Sequence, residues 1–226
     1  MIKDNILQVR ARIASVCAKL GLNPDSITIV CVAKNRTIEQ VKEVIACGIF
    51  NVGENRVQEA LSKYGQLSGV KWHLVGHLQT NKVKDAVKIF DLIHSVDSLR
   101  LAREINKQAA GIGKIQDILL EVKTSAEAAK FGIAPTETAG VVREISALKN
   151  VSLKGLMTIA PQSDNQEDAR QYFKRLGELR DKICSDFGFR VSDFEFLSMG
   201  MTDDFEVAIE EGANIIRIGR GIFDKI

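Results

Sequence analysis

The feature that most constrains this 226-residue chain is a grammar repeated along its whole length: a short apolar, β-branched run followed by a stretch with helical periodicity. The runs are ITIVCVA (27–33), IFNV (49–52), WHLV (72–75), FDLIHS (90–95), IQDILLEV (115–122), VSLKGLMTI (151–159), FEFLSM (194–199) and NIIRIG (214–219). Continuous apolarity suits strands covered on both faces, and helices between them make neighbouring strands parallel. Eight such units predict an α/β fold of the (β/α)8 TIM-barrel type, in preference to an open doubly wound sheet, which the same pattern allows. No Pro-rich or Ser-rich linker divides the chain, so residues 1–226 read as a single domain.

Local signals fill in the frame. Ile2, Ile6, Val9, Ile13, Val16 and Leu20 recur at three- and four-residue spacing, which predicts an extra amphipathic helix ahead of the first strand. Thr37 with Gln40 makes a capping-box opening for the helix IEQVKEVIACG. Further helices are expected over 55–64, from Thr80, Asp97 and Thr136, from near Ser163, and from Asp203, with GIFDKI left as a short tail.

Charge and cysteine usage narrow the function classes. The 31 basic and 29 acidic residues give a net charge of +2 with no basic stripe, which argues against nucleic acid. Cys17, Cys31, Cys47 and Cys184 form no C-x-x-C pair, so neither a disulfide framework nor a zinc knuckle is indicated, and a reducing cytoplasm fits. The opening segment is amphipathic, unlike a signal peptide, and no run is long and apolar enough to span a membrane.

In barrels of this kind the chemistry sits just after each strand. Lys34 directly ends the first apolar run, where burial would lower an amine's pKa and leave a nucleophile suited to a Schiff base; an ordinary solvated lysine is the plain alternative. Gly200, Gly219 and Gly221, flanked by Ser198 and Arg220, fall after the last two strands, where backbone N–H groups commonly hold a phosphate. Arg217 places a cation inside an apolar strand. It needs either a carboxylate such as Glu121 or Glu195, or a ligand's ring nitrogen. His73, His77 and His94 invite a metal reading, but they contain no H-x-H pair and fit hydrogen-bonded core histidines better.

These residues carry a resemblance to a known family. VAK at Lys34, GENRVQE (53–59), WHLVGHLQTNK (72–82), GLMTIAP (155–161), LSMGMTDDFEVAI (197–209) and IRIGRGIFD (216–224) resemble the pyridoxal phosphate homeostasis (YggS/PROSC) family over nearly the full length. That family is similar in fold to the barrel domain of alanine racemase and lacks its second β domain. The resemblance implies pyridoxal 5'-phosphate (PLP) as cofactor, a Schiff base on Lys34, a phosphate surrounded by Ser198, Gly219 and Arg220, a pyridine nitrogen facing Arg217, and Asn55 and Met199 lining the same pocket. Departures from the family's commonest pattern are Asn35-Arg36 after the lysine, His77 in place of proline, and Arg220 in place of threonine.

The implied role is that of a cytoplasmic, monomeric PLP carrier in vitamin B6 homeostasis, handing the cofactor to PLP-dependent apo-enzymes, without a metal and without a reaction of its own. The rival is a PLP-dependent amino-acid racemase. It needs a second acid/base opposite the lysine, and the chain's two tyrosines, Tyr64 and Tyr172, both fall on predicted outer helices.

Overall fold

The computed structural model describes residues 1–125, 131–188 and 194–224. All eight predicted strands are present: β1 (Thr28–Val32), β2 (Asn51–Glu54), β3 (Lys71–Leu74), β4 (Leu92–Val96), β5 (Gln116–Glu121), β6 (Val151–Met157), β7 (Phe196–Ser198) and β8 (Ile215–Ile218). Each pairs in parallel with the next, and β8 returns to β1 with Val30 opposite Arg217, so the sheet is a closed barrel rather than an open one.

Strand parity divides the apolar side chains into two layers. Val30, Val75, Leu92, Leu119, Met157 and Ile215 point inward and fill the barrel. Residues of opposite parity, among them Cys31, Val52, Leu74, Leu197 and Ile218, face the helices in one larger core. Burying both faces explains why the strands read as unbroken apolar runs.

The helices are α1 (Ile2–Leu20), α2 (Ile38–Ala46), α3 (Val57–Tyr64), α4 (Val83–Ile89), α5 (Leu99–Ala110), α6 (Pro135–Ser146), α7 (Arg170–Phe187), α8 (Phe205–Glu210) and α9 (Arg220–Phe223). The capping box of α2 is formed on both sides, Thr37 Oγ1 accepting from the Gln40 N–H and Gln40 Oε1 from the Thr37 N–H. The expected starts move by one or more residues; those from Asp97 and Asp203 shift to Leu99 and Phe205, and that from Thr136 to Pro135. The 55–64 helix begins at Val57, because Asn55 and Arg56 complete the turn out of β2. The helix expected from Thr80 opens as one 3₁₀ turn, Thr80–Lys82, before α4. The helix expected near Ser163 begins as a 3₁₀ turn at Gln166, since Asn165 caps that turn through the Glu167 N–H.

The tail GIFDKI is helical over its first residues, and this bears on α1. A helix of four residues after β8 leaves the outer ring short, and α1 fills the gap, burying Ile2, Ile6, Val9, Ile13 and Val16. Asn5 fastens the two ends of the chain, its Nδ2 donating to the carbonyls of Ile222 (3.0 Å) and Asp224 (2.8 Å).

Candidate functional site

Lys34 stands at the carboxyl end of the barrel, one residue past the buried Ala33. The turn that presents it is clamped from β2 and α3. Lys63 Nζ donates to the Ala33 carbonyl (2.7 Å) and to Glu54 Oε1 (2.6 Å), and Glu59 Oε2 accepts the Asn35 N–H (3.3 Å). Asn35 takes a left-handed φ of 57°, which asparagine tolerates better than most residues. Glu54 is fully buried; burial raises its carboxyl pKa, and the Lys63 ammonium opposes the rise. Glu59 directly, and Glu54 through Lys63, therefore hold the backbone on either side of Lys34. The expectation that Lys34 itself is buried does not hold. Its side chain is exposed at the rim, because the turn leaves the barrel before the side chain can enter it.

A cavity of about 650 Å³ opens beside Lys34, and Asn55, Arg56, His77 and Lys82 share its wall. Asn55 is held there by close backbone packing: a Cβ on Gly76 would collide with the Asn55 main chain, so only glycine fits. His77 Nδ1 faces Asp97 Oδ2 at 3.2 Å, and its ring stacks on Phe131 with centroids 3.8 Å apart.

Arg217 enters the barrel interior from β8 and is 4% exposed. Its partners are not the carboxylates considered from the sequence. Nη1 donates to the Ser198 carbonyl and to Ser198 Oγ, both at 2.7 Å, and Nη2 donates to the Thr158 carbonyl at 2.9 Å. Burial lowers its pKa to about 10, and the negative potential of Asp204 and Glu121 limits the fall. Of the five N–H groups of a guanidinium, these bonds use three. The Nε–H and one Nη2–H are left without a partner among the described residues.

Three further residues singled out in the sequence have partners of their own in the structure. Ser198 is fully buried, and its hydroxyl bonds to Arg217 and to His94 in the barrel interior. Met199 has the parity of Leu197, and its side chain lies in the outer core, away from the pocket. Arg220 is exposed and pairs with Asp203 on the surface, so its side chain is already engaged. Gly219 remains where expected, capping α9 at the carboxyl end of β8, and Gly200 follows β7 with a φ of 89°.

Sequence reasoning missed Asn51 and the way His94, His73 and Asn51 line the barrel interior together beneath Arg217. Two of the three histidines are buried and hydrogen-bonded, as expected of core histidines, but their bonds form a connected series. The signal available was parity: His73 lies two residues before the inward-facing Val75, and His94 two after the inward-facing Leu92.

The comparisons with known proteins define the class and the family of the chain. The family described as "Alanine racemase, N-terminal domain" matches residues 2–224, which defines the class: a barrel of the alanine racemase type. At 16% identity and a TM-score of 0.79, the alanine racemase of Clostridium difficile shares the fold over 99% of this chain and 60% of its own. Within that class a protein of Aquifex aeolicus named pyridoxal phosphate homeostasis protein is 41% identical over 98% of this chain and 97% of its own. The Escherichia coli K12 protein of that name is 33% identical over 98% and 95%. PipY of Synechococcus elongatus, solved with PLP bound, superposes with a TM-score of 0.87 at 32% identity, over 99% of this chain and all of its own. The chain belongs to the pyridoxal phosphate homeostasis protein family.

Proposed function

We propose that this chain, as one domain, binds PLP covalently through Lys34 and keeps it available to PLP-dependent apo-enzymes in the cytoplasm, with no reaction of its own. The observation that carries the reading is the pairing of an exposed amine after β1 with a buried guanidinium on the adjacent β8, at one end of one barrel. The donor set fits the group. PLP, when bound, supplies an aldehyde that a lysine amine can take up, a pyridine nitrogen that accepts a hydrogen bond, and a phosphate dianion. Lys34 offers the amine, Arg217 has free N–H groups for the ring, Asn55 lies beside Lys34, and the backbone of the Gly200 and Gly219 turns offers N–H donors to the phosphate. The PLP-bound relative and the names of the relatives support PLP as the ligand.

A carrier rather than a racemase is supported by what surrounds the lysine. Arg217 is a cation that would donate to the ring nitrogen of bound PLP and would keep it unprotonated, weakening the ring as an electron sink. The sequence's only tyrosines lie on outer helices, Tyr64 ending α3 and Tyr172 lying in α7. A racemase needs a second acid/base on the far face, commonly worth about 10²- to 10⁴-fold. Borohydride reduction of PLP-loaded protein, followed by peptide mapping, is expected to place the cofactor mass on Lys34 and to lose it in Lys34→Ala. Modification only at other lysines defeats the assignment. Pyridoxal without phosphate is expected to bind far more weakly than PLP. In deuterated water with L-alanine, α-proton exchange is expected to stay well below about 1 s⁻¹; turnover at that level, abolished by Lys34→Ala, would restore the racemase.

A further inference from the structure

A continuous line of hydrogen bonds crosses the barrel interior beneath Arg217. Arg217 Nη1 meets Ser198 Oγ at 2.7 Å, the Ser198 hydroxyl meets His94 Nδ1 at 2.8 Å, His94 Nε2 meets His73 Nδ1 at 2.9 Å, and His73 Nε2 meets Asn51 Oδ1 at 3.1 Å. The line starts at the carboxyl end of β7 and β8 and finishes at the first residue of β2. There Asn51 and His73 line a cavity of about 480 Å³ at the opposite mouth.

The chemistry of the two ends fixes the direction of every proton between them. A guanidinium can only donate, so Ser198 Oγ accepts from Arg217. The buried Ser198 hydroxyl then satisfies its own proton by donating to His94 Nδ1, which must be the unprotonated nitrogen. His94 therefore carries its proton on Nε2 and gives it to His73 Nδ1, and His73 carries its own on Nε2 and gives it to Asn51 Oδ1. Starting from the Asn51 carbonyl oxygen and working backwards yields the same tautomers. Both imidazoles are neutral: burial, reinforced by Lys71, brings the His73 pKa down to about 4, and burial with the neighbouring His73 and Arg217 holds His94 well below the usual histidine value.

We propose that Ser198, His94, His73 and Asn51 are positioning residues for Arg217, locking which N–H groups the guanidinium can offer to the ring nitrogen of bound PLP. This rests on the PLP reading above. Each bond in the series points its acceptor toward the cation, so the dipoles add and stabilise a charge that has no carboxylate in contact. With both Nη1 protons and one Nη2 proton tied down by Ser198 and Thr158, the guanidinium cannot rotate without breaking the line, and only its Nε–H and remaining Nη2–H stay free.

The test reads the imidazoles and the cofactor separately. In ¹⁵N NMR of the full chain without added PLP, both His73 and His94 are expected to show protonated Nε2 and unprotonated Nδ1, unchanged between about pH 8 and 6. Asn51→Leu, at the end remote from the cofactor, is expected to shift the His94 nitrogens as well as those of His73, and to displace the absorption band of bound PLP. Ser198→Ala is expected to weaken PLP binding by roughly 10-fold, the lower end of what loss of an orienting partner costs at a ligand site, with its circular dichroism unchanged. An Nδ1–H tautomer on either ring overturns the proposal, as does wild-type PLP affinity and absorption in both folded variants. If wild-type protein takes up no PLP, the PLP reading fails, while the tautomers still report on the line itself.

Discussion

Glu54 and Lys63 show how a single buried contact can set the geometry of a reactive residue. Lys63 divides its ammonium between Glu54 Oε1 and the Ala33 carbonyl, while Glu54 Oε2, also buried, has no hydrogen-bond partner among the described residues. Removing one member strands the other. Lys63→Met is expected to destabilise the fold by about 3–5 kcal/mol, because Glu54 is left as an uncompensated buried acid. Glu54→Leu combined with Lys63→Met is expected to recover most of that loss, since apolar replacement of a buried pair is often near neutral. Urea unfolding of the single and double variants measures both. The double variant, although stable, is expected to bind PLP less well than the wild type, because the Ala33 carbonyl and the Lys34 turn lose their clamp. At this scale the sequence was informative about residue type and silent about partners. Lys34 was readable from its place after an apolar run. Its exposure follows from the path of the turn, and the inward bonds of Ser198 depend on groups far along the chain, His94 and Ser198 being 104 residues apart.

Among the elements, α2 carries a signal that was fully local and was read correctly. Thr37 and Gln40 satisfy each other's backbone N–H groups at a helix of only nine residues, too short to be stable through propensity alone. Thr37→Ala is expected to cost about 1 kcal/mol, seen as a lower urea midpoint with an unchanged slope, because the cap contributes to stability without altering how much surface unfolding exposes. Asn35 and Arg36 lie between Lys34 and this cap, so PLP binding by the same variant is expected to weaken only slightly if the Lys63 clamp dominates the turn. The starts of α3 and α7 were misjudged for the converse reason. Their first residues have helix-compatible side chains, but they are drawn into a strand-exit turn at Asn55 and Arg56, and into an Asn165-capped 3₁₀ turn. Strand identity was legible because apolar runs report burial, whereas closure of the barrel is a pairing of β1 with β8 across almost the whole chain, which periodicity cannot register.

For the molecule as a whole, the same barrel interior that holds Arg217 also determines how stability responds to pH, through two opposing arms. Glu121 ends β5 facing Arg217's side of the barrel; burial, with repulsion from Asp97, raises its pKa from 4.5 to about 7 against the pull of Arg217. The folded protein thus binds a proton that the unfolded chain has released, and the stability associated with it is complete below pH 4.5 and lost as pH rises through about 7, on the order of 3 kcal/mol in all. Glu54, Asp117 and Asp204 are raised in the same direction, each chiefly by burial. His73 works the other way. Its pKa falls from 6.5 to about 4, so the unfolded chain binds the extra proton, and stability present above pH 6.5 is lost as pH falls to about 4; His94, lowered too, adds to this arm. Between pH 4.5 and 6.5 the two arms partly cancel, which broadens the stability maximum there. Glu121→Gln removes one member of the carboxyl arm and keeps the volume. Without added PLP, this variant is expected to lose less stability than the wild type between pH 6 and 8, and to lose more between pH 6.5 and 4.5, where the histidines act with less opposition. Urea unfolding at each pH gives the two curves, and their difference should change by a few kcal/mol, rising with pH. A difference that stays flat from pH 4.5 to 8 would mean that Glu121 is already ionised in the folded barrel, with Arg217 outweighing burial.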